Sequence, residues 1–398
     1  MEYKILPSPL LGDNSPLDKE AKTIIQKTYE AEWEKSQDLP TDDPLDPKRY
    51  RRVELTWDEM MSQSQAITTT LTQENDSILE ISNYFGRLPI TRIIFTGCGD
   101  SLTSMIGIRA LYEGLLGIPC EPIESLDLAY YYHHSINKNT LVIGLSSSGA
   151  TTKTVEAILL AQKLGAYTLV LTNTPGSILM KIADRGLLIH AERKGWPTQS
   201  STSAMALLAK LGLEITKVRK STTKLFNNIE NEFDKIPELI SHVLERTNSI
   251  MESIAKIEVY RKIYLYTGGG PAYASALIGA AKVKECSPDH AIAIPLEEFH
   301  HYNSQKAGDP LFLLSPKGSS LPRALDTLHE GKRWGGQVYS IVTVGDEKYF
   351  EGSDKIIALP ELHEYLSAFI FSLPVQLFAY HVAMSKFQLA KENLKGES

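Results

Sequence analysis

A run of hydroxyl side chains follows one of the apolar segments in the middle of the chain. Ser146, Ser147, Ser148 and Thr151 surround a glycine directly after the apolar run 141–145. Such a run predicts a buried strand, and the residues after Thr151 predict a helix. A strand-to-helix turn exposes backbone N–H groups at the positive end of the helix dipole, where anions bind. The sequence therefore predicts an anion-binding loop, although each hydroxyl alone could be an ordinary helix cap.

Two charged side chains in the second half of the chain have the types and spacing for proton transfer. Lys282 and Glu285 are three residues apart on a predicted helix over 272–286, so they share one face of it. A carboxylate in a partly desolvated site can remove a proton next to a carbonyl or imine and return it one carbon away. The same spacing also fits a surface ion pair, and the residues alone leave both interpretations open.

The elements that must position these groups alternate along the chain. In the first half, strands are predicted over 93–95, 120–122, 141–145, 167–171 and 187–190. After long helices between 200 and 256, strands are predicted over 263–266, 311–314, 337–344 and 355–359. Short apolar strands between helices indicate an α/β fold, in which helices cover both faces of a mostly parallel sheet.

The two halves carry similar loops, which suggests an internal duplication. The first loop of each half contains glycines (97–99 and 268–270), and the second contains serines (146–148 and 315–320). We predict an N-terminal arm and linker over 1–52, a first domain over 53–225, a second domain over 226–385 and a tail over 386–398. In the arm we expect one helix at 18–36 and then an extended linker. Thr56 is expected to cap the helix that follows.

The composition excludes several classes of protein. The chain has 398 residues, a hydrophobic content of 42% and a net charge of −7. Its basic residues are scattered, which argues against a nucleic-acid surface. No apolar run reaches the length of about 20 residues that spans a membrane. Three cysteines without a motif and the absence of a leader sequence predict a cytoplasmic protein without disulfides.

Nucleotide and metal sites are the rival interpretations of the loops. Gly97 and Gly99 lack the third glycine of a dinucleotide fingerprint, and no acidic residue ends a second strand. Lys153 follows Ala150-Thr151-Thr152, so it is not the lysine of a phosphate-binding P-loop. Histidine and cysteine show no metal-ligand spacing. We expect neither a cofactor nor a metal.

In their order along the chain, the motifs resemble the family of tandem sugar isomerase (SIS) domains, most closely the isomerase half of glucosamine-6-phosphate synthase. The resemblance covers roughly residues 54–386. It is carried by Glu59-x-x-x-Gln63-x-x-Ala66-Ile67, Gly97-Cys98-Gly99-Asp100-Ser101, the loop 146–151, Ser201-Thr202, the segment 281–285, Glu298-x-x-His301 and the segment 373–381. It implies two SIS domains, each a three-layer α/β/α sandwich.

The resemblance also implies roles for individual residues. Phosphate contacts are implied for Ser101, Ser146, Ser148 and Thr151, with Ser147 where many members have glutamine. Further substrate contacts are implied for Cys98, Gly99, Asp100, Ser201 and Glu298. Glu285 would move a proton between C1 and C2, with Lys282 beside it. His301 would open the sugar ring from the neighbouring subunit, which implies a homodimer. A tail lysine of the family corresponds to Lys391, with Lys395 an equal alternative.

Three departures from the family pattern shape the functional prediction. Residues 1–52 are too short for the synthase's glutaminase domain, so ammonia would be free or come from a separate glutaminase subunit. Ile278 stands where the synthase has a glutamate, and no Gly-Pro follows His301. We predict an enzyme that interconverts a ketose 6-phosphate and a 2-amino-2-deoxyaldose 6-phosphate. A fructosamine-6-phosphate deglycase and a non-catalytic sugar-phosphate sensor are the alternatives.

Overall fold

Two five-stranded parallel sheets form the centre of the computed structural model, which describes residues 8–302 and 304–396. The first sheet contains β1 (Arg92–Gly97), β2 (Cys120–Glu124), β3 (Thr140–Leu145), β4 (Tyr167–Thr172) and β5 (Arg185–Leu188). The second contains β6 (Ile263–Gly268), β7 (His290–Pro295), β8 (Pro310–Ser315), β9 (Gln337–Thr343) and β10 (Lys355–Leu359). The predicted α/β class with parallel sheets is confirmed.

The strand order is the same in both sheets. In the first sheet it is β2-β1-β3-β4-β5, and from one edge of the second it is β7-β6-β8-β9-β10. All strand pairs are parallel. The repeated order agrees with the predicted duplication. It also places the loops after β1 and β3 next to each other at the carboxyl ends of the strands of the first sheet.

Helices cover the sheets and join the two domains. They are α1 (Lys19–Ser36), α2 (Pro47–Met61), α3 (Gln63–Gln73), α4 (Asn75–Gly86), α5 (Asp100–Leu116), α6 (Ser125–Asp127), α7 (Thr152–Lys163), α8 (Ile178–Ile182), α9 (Gln199–Val218), α10 (Lys224–Phe233), α11 (Ile236–Glu258), α12 (Pro271–Cys286), α13 (Leu321–Arg333) and α14 (Ala368–Gly396). The largest hydrophobic core is shared, because α5 and α9 pack into it together with α11, α12 and α14. The domains are therefore joined by a common core.

The last helix, α14, is a buried element of this core. By length and composition it could span a membrane, but 78% of its most apolar window is buried inside the protein. Its length exceeds the sequence expectation, since the predicted tail from residue 386 continues the same helix to Gly396. Pro374 lies inside this helix.

Several local expectations needed correction. The arm helix at 18–36 is confirmed by α1, but the extended linker is short because α2 already begins at Pro47. Thr56 is not a cap: it lies inside α2, where its hydroxyl donates to the Arg52 carbonyl. Strand β7 was missed because it lies at the sheet edge and only one of its residues is buried. The boundary predicted at residue 225 falls inside α10.

Candidate active site

The hydroxyl loop lies where the sequence predicts it, between β3 and α7. Thr151 is the N-cap residue of α7, and its hydroxyl is 2.8 Å from the Ser146 hydroxyl. Ser146 and Ser148 place their hydroxyl oxygens 3.3 Å apart. Gly149 has a φ of +62°, and a Cβ on it would lie 2.1 Å from the Ser177 hydroxyl oxygen. Only glycine fits there, so the turn that brings the hydroxyls together depends on it.

A cavity of about 220 Å³ opens next to this loop. It contains nine of the predicted site residues, which are Cys98, Asp100, Ser101, Ser146, Ser147, Ser148, Thr151, Ser201 and Glu285. Residues that the sequence reasoning did not single out complete the lining, namely Ser104, Leu145, Ile189, Arg193, Pro197, Ser200 and Ala204. The second domain therefore contributes a carboxylate to a cavity built mainly by the first domain.

A buried lysine connects the two domains beside this cavity. Lys282 on α12 is 1% exposed, and its Nζ lies 2.5 Å from Asp100 Oδ2 at the start of α5. The same ammonium donates to the carboxylate of Glu285. Although burial disfavours the charged lysine, the two carboxylates outweigh it and raise the pKa of Lys282. The surface ion pair considered from the sequence is thus replaced by a buried cluster of one cation and two carboxylates.

The surroundings of Glu285 favour proton uptake near neutral pH. Burial raises the pKa of Glu285 to about 7, and the nearby Asp100 charge also raises it. Lys282 and Arg52 act in the opposite direction, because a positive charge stabilises the carboxylate. Arg49 donates to the Glu285 carbonyl over 2.9 Å and so fixes the end of α12. A carboxyl with a pKa near neutrality can both accept and return a proton.

Arg193 is the cationic side chain that sequence reasoning missed. Its guanidinium lies at the exposed rim of the cavity and donates to the Ser147 carbonyl over 3.1 Å and to the Thr174 hydroxyl over 3.3 Å. In the described part of the chain no carboxylate pairs with it within 4 Å. Partial burial lowers the pKa of Arg193, against the influence of Glu59. Its position beside the hydroxyl loop suits a phosphate ligand.

The loop that carries Arg193 is fixed against α2. The Glu59 carboxylate accepts hydrogen bonds from the backbone N–H groups of Lys194 and Gly195. The Thr56 hydroxyl accepts from Trp196 N–H over 2.8 Å. A Cβ on Gly195 would lie 2.5 Å from the Thr56 backbone nitrogen, so the loop can approach α2 this closely only through a glycine. These contacts give Glu59 a positioning role. The sequence motif included Glu59 but assigned it no function.

The Cys98 thiol at the cavity is a neutral group. Burial raises the pKa of Cys98 to about 11, and a hydrogen bond to Glu124 is the second cause of this increase. Its Sγ lies 3.2 Å from Glu124 Oε1. A thiol with a raised pKa is a weak nucleophile, so the position suits a packing or hydrogen-bonding contact.

In the second domain, the loop after β8 is closed by a carboxylate. Glu364 accepts from the backbone N–H of Ser319 over 3.2 Å and from the Ser319 hydroxyl over 3.3 Å. A Cβ on Gly318 would lie 2.3 to 2.6 Å from the Glu364 carboxyl atoms. An internal anion therefore occupies the donors that correspond to those of the hydroxyl loop. The second loop differs in this respect from the hydroxyl loop, whose serines line an open cavity.

Five predicted residues lie outside the cavity lining, namely Lys282, which is buried beside the cavity, and four others. His301 has a 58% exposed side chain and pairs with Glu297 over 3.2 Å. Glu298 is exposed on the same short segment. Lys391 places its Nζ 4.0 Å from the centre of the Tyr50 ring. Gly99, with a φ of +56°, ends the first loop and precedes α5. The side chain of Lys395 lies outside the described residues.

Comparison with known proteins decides the family. A family model of the SIS domain matches residues 89–212 and 256–386, one match for each sheet. The chain belongs to the SIS domain family. The first match includes the hydroxyl loop, and the second includes α12. The resemblance inferred from the motifs is thereby confirmed.

Relatives of this SIS protein act on sugar phosphates. It is 30% identical over 310 residues to the isomerizing glutamine–fructose-6-phosphate aminotransferase of Thermococcus kodakarensis, covering 77% of this chain and 50% of that one. The chain thus spans about half the length of the curated relatives it matches. Among solved structures it is similar to the C-terminal domain of the Francisella tularensis glucosamine–fructose-6-phosphate aminotransferase, with a TM-score of 0.73 and 22% identity, covering 82% of this chain and 95% of that one.

A further solved structure has a similar fold over most of the chain. It is the glucosamine-6-phosphate deaminase of Thermotoga maritima, with a TM-score of 0.64 and 20% identity, covering 83% of this chain and 94% of that one. At this identity the likeness shows the fold.

Proposed function

We propose that this SIS protein interconverts a ketose 6-phosphate and a 2-amino-2-deoxyaldose 6-phosphate. The observation that carries the proposal is that Glu285 shares one cavity with the hydroxyl loop. An anion anchored at one end of the cavity would present the rest of a small molecule to this carboxylate. The relatives that act on hexose 6-phosphates support a sugar phosphate as that molecule.

In this proposal the loop anchors the phosphate. Ser146, Ser148 and Thr151 would donate their hydroxyls to its oxygens, and Arg193 would supply the positive charge. A carboxylate such as Asp100 is a poor phosphate ligand, so we assign the anion to the other end of the cavity. Binding of the phosphate at the loop would hold the sugar in position for proton transfer. No group of the loop would need to gain or lose a proton.

Glu285 is assigned the proton transfer. From the open-chain amino sugar, its carboxylate takes the proton at C2, and a proton from the site goes to the oxygen at C1, which leaves an enolamine. Glu285 then returns its proton to C1, giving a ketose iminium ion. Water adds to C2 of this ion, the surplus proton returns to the group of the site that supplied it, and ammonia leaves, which yields the ketose phosphate. Lys282 beside it would stabilise the negative charge that develops on the substrate oxygen.

The proposed reaction also needs a nitrogen source. The curated relatives are aminotransferases that use glutamine, and this chain spans about half of their length. We propose free ammonia, or ammonia from a separate glutaminase subunit, as the nitrogen source. Activity with ammonium salts but not with glutamine would support this, and unaided activity with glutamine would contradict it.

A homodimer is proposed because His301 is exposed outside the cavity of its own chain. We assign it the opening of the sugar ring at the cavity of a neighbouring subunit. Mixed dimers test this assignment: Glu285→Gln and His301→Ala chains, each inactive alone, should regain activity when mixed. Mixing restores one complete site only if the two groups come from different chains, so no recovery would overturn it.

A substrate panel tests the proposed reaction. Hexosamine 6-phosphates, ketose 6-phosphates with ammonium and fructosamine 6-phosphates are incubated with the enzyme, and products are identified by mass. We expect interconversion of an amino sugar phosphate and a ketose phosphate, with a rate that rises as pH passes through about 7 and Glu285 ionises. Release of a free amine from fructosamine phosphate alone would indicate a deglycase. Binding without turnover of any substrate would indicate a sensor.

A further inference from the structure

Asp100 is a carboxylate in a cavity whose proposed ligand is an anion. It is the first residue of α5, directly after the loop that follows β1, and its side chain lines the same cavity as the hydroxyl loop. Like charges repel, so a contact with phosphate does not account for an aspartate here. Its Oδ2 instead lies 2.5 Å from Lys282 Nζ, and its side chain is 13% exposed. The role of Asp100 must therefore be sought in this buried contact.

We propose that Asp100 is a positioning residue that holds Lys282 across the domain boundary and makes Glu285 the carboxylate of the cluster that exchanges its proton. This inference rests on the proposed function, in which Glu285 transfers the proton. It goes beyond it because Asp100 would act without touching the reacting carbons. Its first effect is geometric, since the contact fixes the ammonium from α12 against the first turn of α5.

The second effect follows from the charges. The cluster holds one lysine and two carboxylates, so with all three groups ionised it carries one excess negative charge. Protonating either carboxylate relieves that excess. The helix ends decide which one it is, because a helix N-terminus stabilises an anion and a C-terminus destabilises it. Asp100 is the first residue of α5, whereas Glu285 is the next-to-last residue of α12. The helix ends therefore favour Glu285 as the carboxylate that takes up the proton.

Other charged groups also face Glu285, and they must be counted. Lys282 and Cys286 lie on α12 itself, Asp100 comes from α5, and Arg49 and Arg52 come from α2. The arginine and lysine charges favour the ionised carboxylate, whereas Asp100 opposes it. After burial, which is the larger cause, the charge of Asp100 also raises the pKa of Glu285 and so favours proton uptake by this carboxylate.

Neutral replacements of Asp100 test this role. Asp100→Asn keeps the shape of the side chain, Asp100→Ser removes most of it, and Asp100→Glu keeps the charge. The control is Asp76→Asn, which replaces an exposed aspartate in the first turn of α4, outside the cavity lining. The titration of Glu285 is followed by NMR in the free protein with ¹³C-labelled glutamate side chains. Its signal is assigned as the one missing in Glu285→Gln.

We expect the Glu285 midpoint to fall by about one pH unit in both neutral variants, because a neighbouring negative charge is lost. Asp100→Glu and the control should keep the original midpoint. The acid limb of the pH profile of C2 proton exchange should move down by the same amount. An unchanged midpoint in either folded neutral variant would overturn the proposal. This readout needs no turnover, so a wild-type chain without isomerase activity would refute the proposed function while leaving Asp100 testable.

Discussion

The buried position of Lys282 predicts a large and pH-dependent loss of stability in Lys282→Met. The substitution keeps an unbranched side chain of similar length but leaves Asp100 and Glu285 without their shared cation. Removing one partner of a buried pair costs about 3–5 kcal/mol of unfolding free energy. Because the Glu285 side chain is 27% exposed, we expect a value near the lower end, about 3 kcal/mol.

The pH dependence has a definite sign. Without Lys282, burial and mutual repulsion place the carboxyl pKa values in the folded variant above those of the unfolded chain. Ionised carboxylates therefore destabilise the folded variant at high pH, and their protonation removes this destabilisation as the pH falls. The stability lost by the variant should therefore be greatest near pH 8 and smaller near pH 5.

Urea unfolding followed by circular dichroism measures this effect at both pH values. The control is Lys284→Met, which replaces an exposed lysine on the same helix. We expect the control to stay within about 0.5 kcal/mol of the wild type. A loss below about 1 kcal/mol for Lys282→Met, or an equal loss at both pH values, would refute the buried cluster.

Three further predictions concern the anchoring loop, and calorimetric titration with a hexose 6-phosphate tests each. Replacing both Ser146 and Ser148 by alanine should weaken binding by about a hundredfold or more, since each lost hydrogen bond to a charged group contributes about 1.5–3 kcal/mol. Ser319→Ala in the corresponding loop should leave affinity unchanged, and an equal loss there would argue against the assignment. Gly149→Ala should abolish binding, because φ is +62° and the new Cβ would overlap a neighbouring serine; retained affinity would show that the turn is not needed. Arg193→Met should weaken binding about tenfold and reduce its salt dependence, whereas an unchanged salt dependence would mean that this charge does not face the phosphate.

The sequence could predict those parts of the site that depend on local pattern. An apolar strand, a hydroxyl-rich turn and a helix follow one another within about 25 residues, so the anchoring loop was predictable from 140–163 alone. The parallel sheets were predictable for the same reason, because their interior strands are continuous apolar runs. Strand β7 was missed since an edge strand with one buried residue has no such run.

Other features depend on contacts between distant parts of the chain. Asp100 and Lys282 are 182 residues apart, and only the packing of α5 against α12 shows that they meet. Arg193 stands in a loop without periodicity, whose path is set by contacts with Glu59 and Thr56. The closure of the second loop by Glu364 likewise involves residues 45 positions apart. Sequence spacing carries no information on contacts of this kind.

The central claim is that Glu285 moves a proton at C2 of a phosphorylated sugar. It is tested most directly by ¹H NMR of an amino sugar 6-phosphate in D₂O with wild-type protein and with Glu285→Gln, which keeps the shape of the side chain but removes the base. We expect the wild type to exchange the C2 proton for deuterium. Glu285→Gln should bind the same sugar phosphate with similar affinity and show no exchange above the rate without enzyme. Full exchange in Glu285→Gln would contradict the account.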